Sequence, residues 1–192
     1  MDWDQYFFQL ATVASRKSKD RSTRLGVAIV RNNDLVTLGF NDMPRGVCDD
    51  ESKAYEYCCK EHDRLDLSFG PLDRQVEQYR QHITRRREDR TDGYKYHWVE
   101  HAERNAIMNA ARLGLSTIGC TMHFSCGGLP CTACTRAIIQ AGITELVMID
   151  EDFEGVGKGT HYDTDSGISE VMLNEAGVTI RRISRERAEG TD

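Results

Sequence analysis

A histidine and a glutamate two residues apart in HAERNAI (101–107), and two cysteines three apart in GGLPCTAC (127–134), could do chemistry together. Thiols at i and i+3 of a helix face the same way, so Cys131 and Cys134 can reach one metal ion. With His101 they make a three-ligand set for Zn²⁺. Such a set leaves the fourth tetrahedral position open, as a catalytic rather than a structural zinc requires. Glu103 stands close to that metal without serving as a ligand. Its carboxylate can take a proton from an ionising water and pass it on to the reacting substrate. Each motif alone admits other readings. A C-x-x-C pair also serves redox exchange, but a thioredoxin-like pair comes early, at a strand–helix start with no upstream H-x-E. A structural zinc wants a fourth ligand, for which His123 and Cys126 are the candidates, and it leaves Glu103 without a purpose.

The elements around these residues must bring them together. Hydrophobic periodicity predicts a helix over 101–113 with Ala102, Ala106, Ala110 and Leu113 turned inward. A strand over 120–126 follows, then a helix over 131–142 closed by Gly142. Upstream, residues 2–16 read as a helix with Trp3, Tyr6, Phe7, Leu10, Val13 and Ala14 on one face. Strands at 25–30 and 34–40 are joined by the turn RNND into a hairpin. Downstream come a strand at 145–150, a polar Gly-rich loop at 151–167, a helix at 168–177 and a strand at 178–183. The pattern predicts an α/β fold, a mixed sheet with helices on both faces. Two successive strand–helix connections would set both helix starts at one edge of the sheet, where ligand sites of open sheets gather.

Residues 49–98, with RRREDR at 85–90, read as a charged, partly helical insertion with a solvated surface, inside a single domain spanning 1–192. At 192 residues the chain can bury a core without disulfide staples. Seven cysteines, an odd number, and an N-terminus that is acidic first and amphipathic next predict reduced thiols in a cytoplasmic protein. No run approaches the roughly 20 apolar residues that a membrane helix needs. The net charge of −6 argues against a nucleic-acid partner.

The joint pattern H-x-E…P-C-x-x-C, with Pro130 in place, is the signature of zinc nucleobase deaminases. HAERNAIMNAARLG, LPCTACTRAIIQAGI and GFNDMPRG resemble the deoxycytidylate deaminase family of the cytidine deaminase superfamily, over about 24–50 and 99–183. The resemblance implies a three-layer αβα sandwich with a five-stranded sheet and one catalytic Zn²⁺ per chain. It implies conversion of dCMP to dUMP, which supplies thymidylate synthesis. By matching positions, His101, Cys131 and Cys134 would bind zinc and Glu103 would shuttle protons. Asn41 would bind the sugar and Arg112 the phosphate, with Arg45 and Arg24 as secondary phosphate candidates. Pro44 and Arg45 fall where some members hold a nucleotide effector, with Mg²⁺ as its companion ion.

The chain also departs from the family. Asp42 stands where Gly is usual, Gly127 and Gly128 lengthen the approach to Pro-Cys, and Met148 and Ile149 replace a frequent aromatic, for which Phe153 could substitute. Members can hold a further zinc, for which Cys48, Cys58, Cys59, His62 and His97 are available; packing thiols and a surface His are expected instead. The partners expected are a small nucleotide and other copies of the chain, as a dimer or hexamer. Competing functions are deamination of a free nucleoside, of a modified dCMP or of a base in tRNA or single-stranded DNA, and a non-catalytic zinc module. The absence of a basic tail and of exposed-looking aromatics counts against the polymeric substrates.

Overall fold

A computed structural model describes residues 1–20, 23–47, 77, 81, 97–150 and 161–190, the side chains of 161–164 excepted. Two units separate by their internal contacts: Met1–Ser18, Arg24–Asn41 and His101–Asp192 make one, Lys19–Thr23 and Asp42–Glu100 the other. In the second unit, Asp42 and Glu100 pair as an isolated antiparallel bridge, while Met43 and Val99 are buried. The expected insertion at 49–98 lies almost wholly outside the described residues, as do Cys48, Cys58, Cys59 and His62.

The first unit holds the regular structure. Helix α1 (Trp3–Ser15) starts at Asp2, whose carboxylate accepts the Gln5 N–H at 2.8 Å. Strands β1 (Gly26–Arg31) and β2 (Asp34–Phe40) form a hairpin. Its two central residues, Asn32 and Asn33, have φ of 51° and 66°. Asparagine tolerates that left-handed pair, and the resulting turn matches the twist of the strands. Then follow α2 (Ala102–Arg112), β3 (Thr121–Phe124), α3 (Thr132–Gln140), β4 (Glu145–Ile149), α4 (His161–Glu175), β5 (Thr179–Ile183) and α5 (Arg185–Glu189). The strands stand in the order β2-β1-β3-β4-β5. β1 runs antiparallel to both its neighbours, and β3, β4 and β5 run parallel.

Strand parity divides the core. Val27, Ile29, Met122, Phe124, Leu146 and Met148 meet Ala102 and Ala106 of α2, Ile138 of α3 and Leu173 of α4. The alternate residues Ala28 and Val30 meet Phe7 and Ala11 of α1, while Val147, Ile149 and Ile183 meet Phe8 and Ala188 of α5. The result is the expected three-layer sandwich with a mixed five-stranded sheet.

Local departures from expectation have physical causes. The buried face of α1 is Phe7, Phe8, Ala11 and Ala14, and Trp3, Tyr6 and Val13 are exposed. A Cβ on Gly26 would fall 2.0 Å from the Ala11 carbonyl oxygen, so the helix turns its small residue toward the strand, where the backbones touch. Leu113 is exposed, because it caps α2 at a point where Gly114, with φ of 68°, turns the chain away. Helix α4 begins at His161, so part of the expected loop is helical, and residues 151–160 with Phe153 lie outside the described residues. The five-residue helix α5 was not expected. Its segment RERAE has no apolar period, and its formation rests on the Ser184 cap, whose hydroxyl accepts from Arg187 N–H at 3.2 Å.

Candidate active site

Two helix starts build the site. His101 is the N-cap of α2 and Cys131 the N-cap of α3, both with extended backbone, one residue before the helical turns expected for them. Their carbonyls accept the first helical bonds, from Asn105 N–H at 2.9 Å and Thr135 N–H at 2.8 Å. Neither side chain caps its own helix. Instead the two reach toward each other. Cys134, three residues into α3, lies on the same side as the N-cap, the spacing that lets those two positions meet in a capping box.

The His101 Nδ1 lies 3.5 Å from the Cys131 Sγ and 3.4 Å from the Cys134 Sγ. All three ligand atoms fall within 4.8 Å of one another. Tetrahedral bonds of about 2.05 Å to nitrogen and 2.3 Å to sulfur separate two ligands by about 3.5 Å, so the donor set and its spacing fit Zn²⁺. The protonation balance agrees. Cys131 is pulled down to about 3 by the Cys134 thiol donating to it and by His101, against its burial. Its thiolate and burial push the Cys134 thiol up. Two thiols facing one another readily lose one proton, and losing both calls for a cation between them.

Glu103 lies beside this cluster, 2% exposed, and its Oε2 has no hydrogen-bond partner. Burial raises its pKa, opposed chiefly by the positive charge of His101, and the Cys134 thiol lies within its reach. An unpartnered buried carboxylate oxygen is costly, and here it adjoins a metal-fitting cluster. It is the atom that a reacting water or an amino group would meet.

Asn41 is buried and tightly held: its Oδ1 accepts the Leu25 N–H at 2.8 Å, its N–H bonds the Leu25 carbonyl at 3.1 Å and its carbonyl accepts the Ser18 hydroxyl at 2.6 Å. Asp42 and Glu100 exchange backbone bonds of 2.8 and 3.1 Å. Arg112 sits in the last turn of α2 and is exposed, nine residues past Glu103, or about 13 Å along the axis. Arg24 is exposed just before β1, and Pro44 and Arg45 are exposed in a turn of the second unit, where the Val47 N–H bonds the Pro44 carbonyl at 3.0 Å.

His123 and Cys126 do not join the cluster. His123 lies on the opposite face of the sheet, its ring 5.1 Å from that of Phe7. The Cys126 thiol donates to the Gly127 carbonyl at 3.1 Å, and Gly128 has φ of 90°, a conformation that suits the added glycine. Met148 and Ile149 are core residues, and His97 is exposed. Two residues of α2 escaped the sequence reading. The Asn105 and Asn109 side chains donate to the Phe40 and Leu38 carbonyls of β2 at 2.8 and 2.9 Å. Two asparagines at i and i+4 in a helix, where asparagine is a poor former, were the available signal.

The chain matches the family described as "Cytidine and deoxycytidylate deaminase zinc-binding region" over residues 1–150. It is 30% identical to the deoxycytidylate deaminase of Homo sapiens over 183 residues, which take in 95% of this chain and 80% of that one. It is 28% identical to the deoxycytidylate deaminase of Enterobacteria phage T4 over 188 residues, 93% of this chain and 88% of the other. Among solved structures it is similar to the dCMP deaminase from cyanophage S-TIM5 in complex with dCMP and dUMP. The TM-score is 0.55 at 20% identity, covering 93% of this chain and 95% of that one.

Proposed function

Because the chain belongs to the cytidine and deoxycytidylate deaminase family, we propose that it hydrolyses dCMP, consuming water and releasing dUMP and ammonia. The observation that carries this reading is the His101–Cys131–Cys134 cluster with the unpartnered oxygen of buried Glu103 beside it. His101, Cys131 and Cys134 hold the zinc. When bound, Zn²⁺ supplies the Lewis acidity that lets water attack the base near neutral pH. Glu103 takes one proton from the attacking water and passes it to the ring nitrogen, then takes the second from the hydroxyl left on the ring carbon and hands it to the leaving amine. Burial suits it to that exchange, since it raises the pKa and so makes the carboxylate a better proton acceptor.

Asn41, held in place by Leu25 and Ser18, meets the sugar, and Arg112 meets the 5′-phosphate, in its own or a neighbouring subunit. The dUMP formed supplies thymidylate synthesis in the cytoplasm. A homo-oligomer, dimer or hexamer, is supported by the exposed Met108, Leu113, Leu115 and Ile118 at the end of α2 and just beyond it. Nucleotide regulation with Mg²⁺ at Pro44 and Arg45 rests on the family resemblance alone. Among the described residues, no helix is long and apolar enough to cross a membrane.

Ammonia release from dCMP, deoxycytidine, cytidine and a cytosine-bearing oligonucleotide, measured in parallel, tests the proposal. Turnover of dCMP well above the other three is expected. Preference for the oligonucleotide, or no turnover of any substrate by zinc-loaded protein, would overturn it.

A further inference from the structure

We infer that Asn105 is a positioning residue that sets Asn41 against the metal-binding end of α2; the inference rests on the substrate role proposed for Asn41. A Cβ on Gly39 would lie 2.3 Å from the Ala102 carbonyl oxygen and 2.5 Å from the Ala106 nitrogen. Helix α2 therefore rests directly on the backbone of β2, one of the two edge strands of the sheet. On either side of that contact, Asn105 holds the Phe40 carbonyl at 2.8 Å and Asn109 holds the Leu38 carbonyl at 2.9 Å. The two bonds are alike in type and length. Their places in the chain differ: Phe40 is bonded to Asn41, whereas Leu38 stands three residues before it.

Asn105 also binds His101, because its backbone N–H donates to the His101 carbonyl at 2.9 Å. One residue thus touches both the carbonyl of a metal-ligating residue and the peptide that leads into Asn41. Ser18 and Leu25 fix Asn41 from its other side. Loss of the Asn105 amide leaves the Phe40–Asn41 peptide held only through its N–H, by the Leu25 carbonyl, so that it can tilt about that bond. Asn41 then shifts relative to the base-binding end of the site, and binding suffers while Glu103 and the three metal ligands stay in place. Loss of the Asn109 amide loosens the same helix from the same strand without disturbing the Phe40–Asn41 peptide.

Asn109 is therefore the control that a purely structural role cannot distinguish from Asn105. Asn105→Ala, Asn109→Ala and Asn41→Ala are compared with the parent in zinc content, Tm, KM and kcat for dCMP. Both helix variants are expected to keep their zinc and to lower Tm by a similar amount, roughly 2–4 °C. Only Asn105→Ala is expected to raise KM, about tenfold, with kcat changed far less. Asn105→Ser, which restores a short donor, is expected to recover part of the loss. If Asn41→Ala raises KM while Asn105→Ala and Asn109→Ala behave alike, the positioning role is wrong and the reading of Asn41 stands. If Asn41→Ala leaves KM unchanged, the substrate role of Asn41 falls and this inference falls with it.

Discussion

His101 and His123 lie on opposite sides of one sheet, and their surroundings give one residue type two different fates. His101 caps α2 and faces two cysteines, and its pKa is raised, chiefly by its hydrogen bond to Cys131 and against the cost of burial. His123 sits in β3 against Phe7, and burial brings its pKa down to about 4 even though Asp4 and Glu145 pull the other way. Both neighbourhoods contain a buried polar atom with no partner, Glu103 Oε2 on one side and His123 Nδ1 on the other. Among the described residues, only the first has metal-fitting donors converging beside it. On the second side the charged groups satisfy one another. Arg181 bonds both Asp4 oxygens and Glu145, and Arg187 bonds Asp2 and Asp4. An orphaned polar atom thus points to chemistry only where other ligand atoms converge on it.

The comparison breaks most decisively at the metal. Cys131→Ala and Cys134→Ala are each expected to abolish zinc retention and reduce dCMP turnover at least a thousandfold, on the order of the rate owed to an activated water. Metal analysis beside a turnover assay checks this. Full activity in a zinc-free variant would remove the distinction between the two faces. His123→Phe, by contrast, is expected to keep its zinc. Glu103→Gln sharpens the point. The variant is expected to bind zinc normally and lose about 10²–10⁴ in kcat, the usual worth of a placed acid–base group. Near-parental kcat would take the proton-shuttle role away from Glu103.

The site was legible because its ligands lie in two short motifs, each at a helix start, where spacing alone sets direction. Strand parity did not reveal His123 as readily. It puts His123 on the face opposite Met122 and Phe124, yet parity cannot say which face α2 and α3 cover. The rotation of α1 and the amide bonds from α2 to β2 were equally hidden. Both depend on helix backbones resting against a glycine, Gly26 or Gly39, and hydrophobic periodicity carries no measure of that distance. Helix α5 and the first turns of α4 were lost for another reason: both are polar segments without an apolar period, and α5 folds on its Ser184 cap.

A smaller effect extends the comparison along α2, from its buried start to its exposed end. Arg112→Ala is expected to raise KM for dCMP by roughly 10–150-fold and to leave deoxycytidine nearly unchanged, since a charged hydrogen bond is worth about 1.5–3 kcal/mol. Steady-state kinetics on both substrates decide it. Equal losses would mean that α2 itself had been disturbed, and no loss would leave Arg112 as a solvated residue at the helix end.

The smallest effect concerns the silent face. An unfolded histidine titrates near 6.5, whereas His123 in the fold titrates at about 4. Between those values the unfolded chain binds a proton that the native chain refuses. The contribution of His123 is therefore intact above about pH 6.5 and is lost as pH falls toward 4, about 2 kcal/mol of it by pH 5. Other groups titrate in the same range, carboxylates and metal ligands among them, so the parent's own pH curve cannot isolate this one. His123→Phe removes the titration and keeps an aromatic ring against Phe7, leaving those other groups common to both proteins. Urea unfolding of the pair at pH 7.5 and 5 is expected to show the parent losing about 2 kcal/mol more than the variant. Such a difference means that burial holds His123 neutral and that its place in the molecule is one of packing. Parallel losses in the two proteins would mean that His123 accepts its proton inside the fold with the help of Asp4 and Glu145, and the two histidines would then differ far less than their surroundings imply.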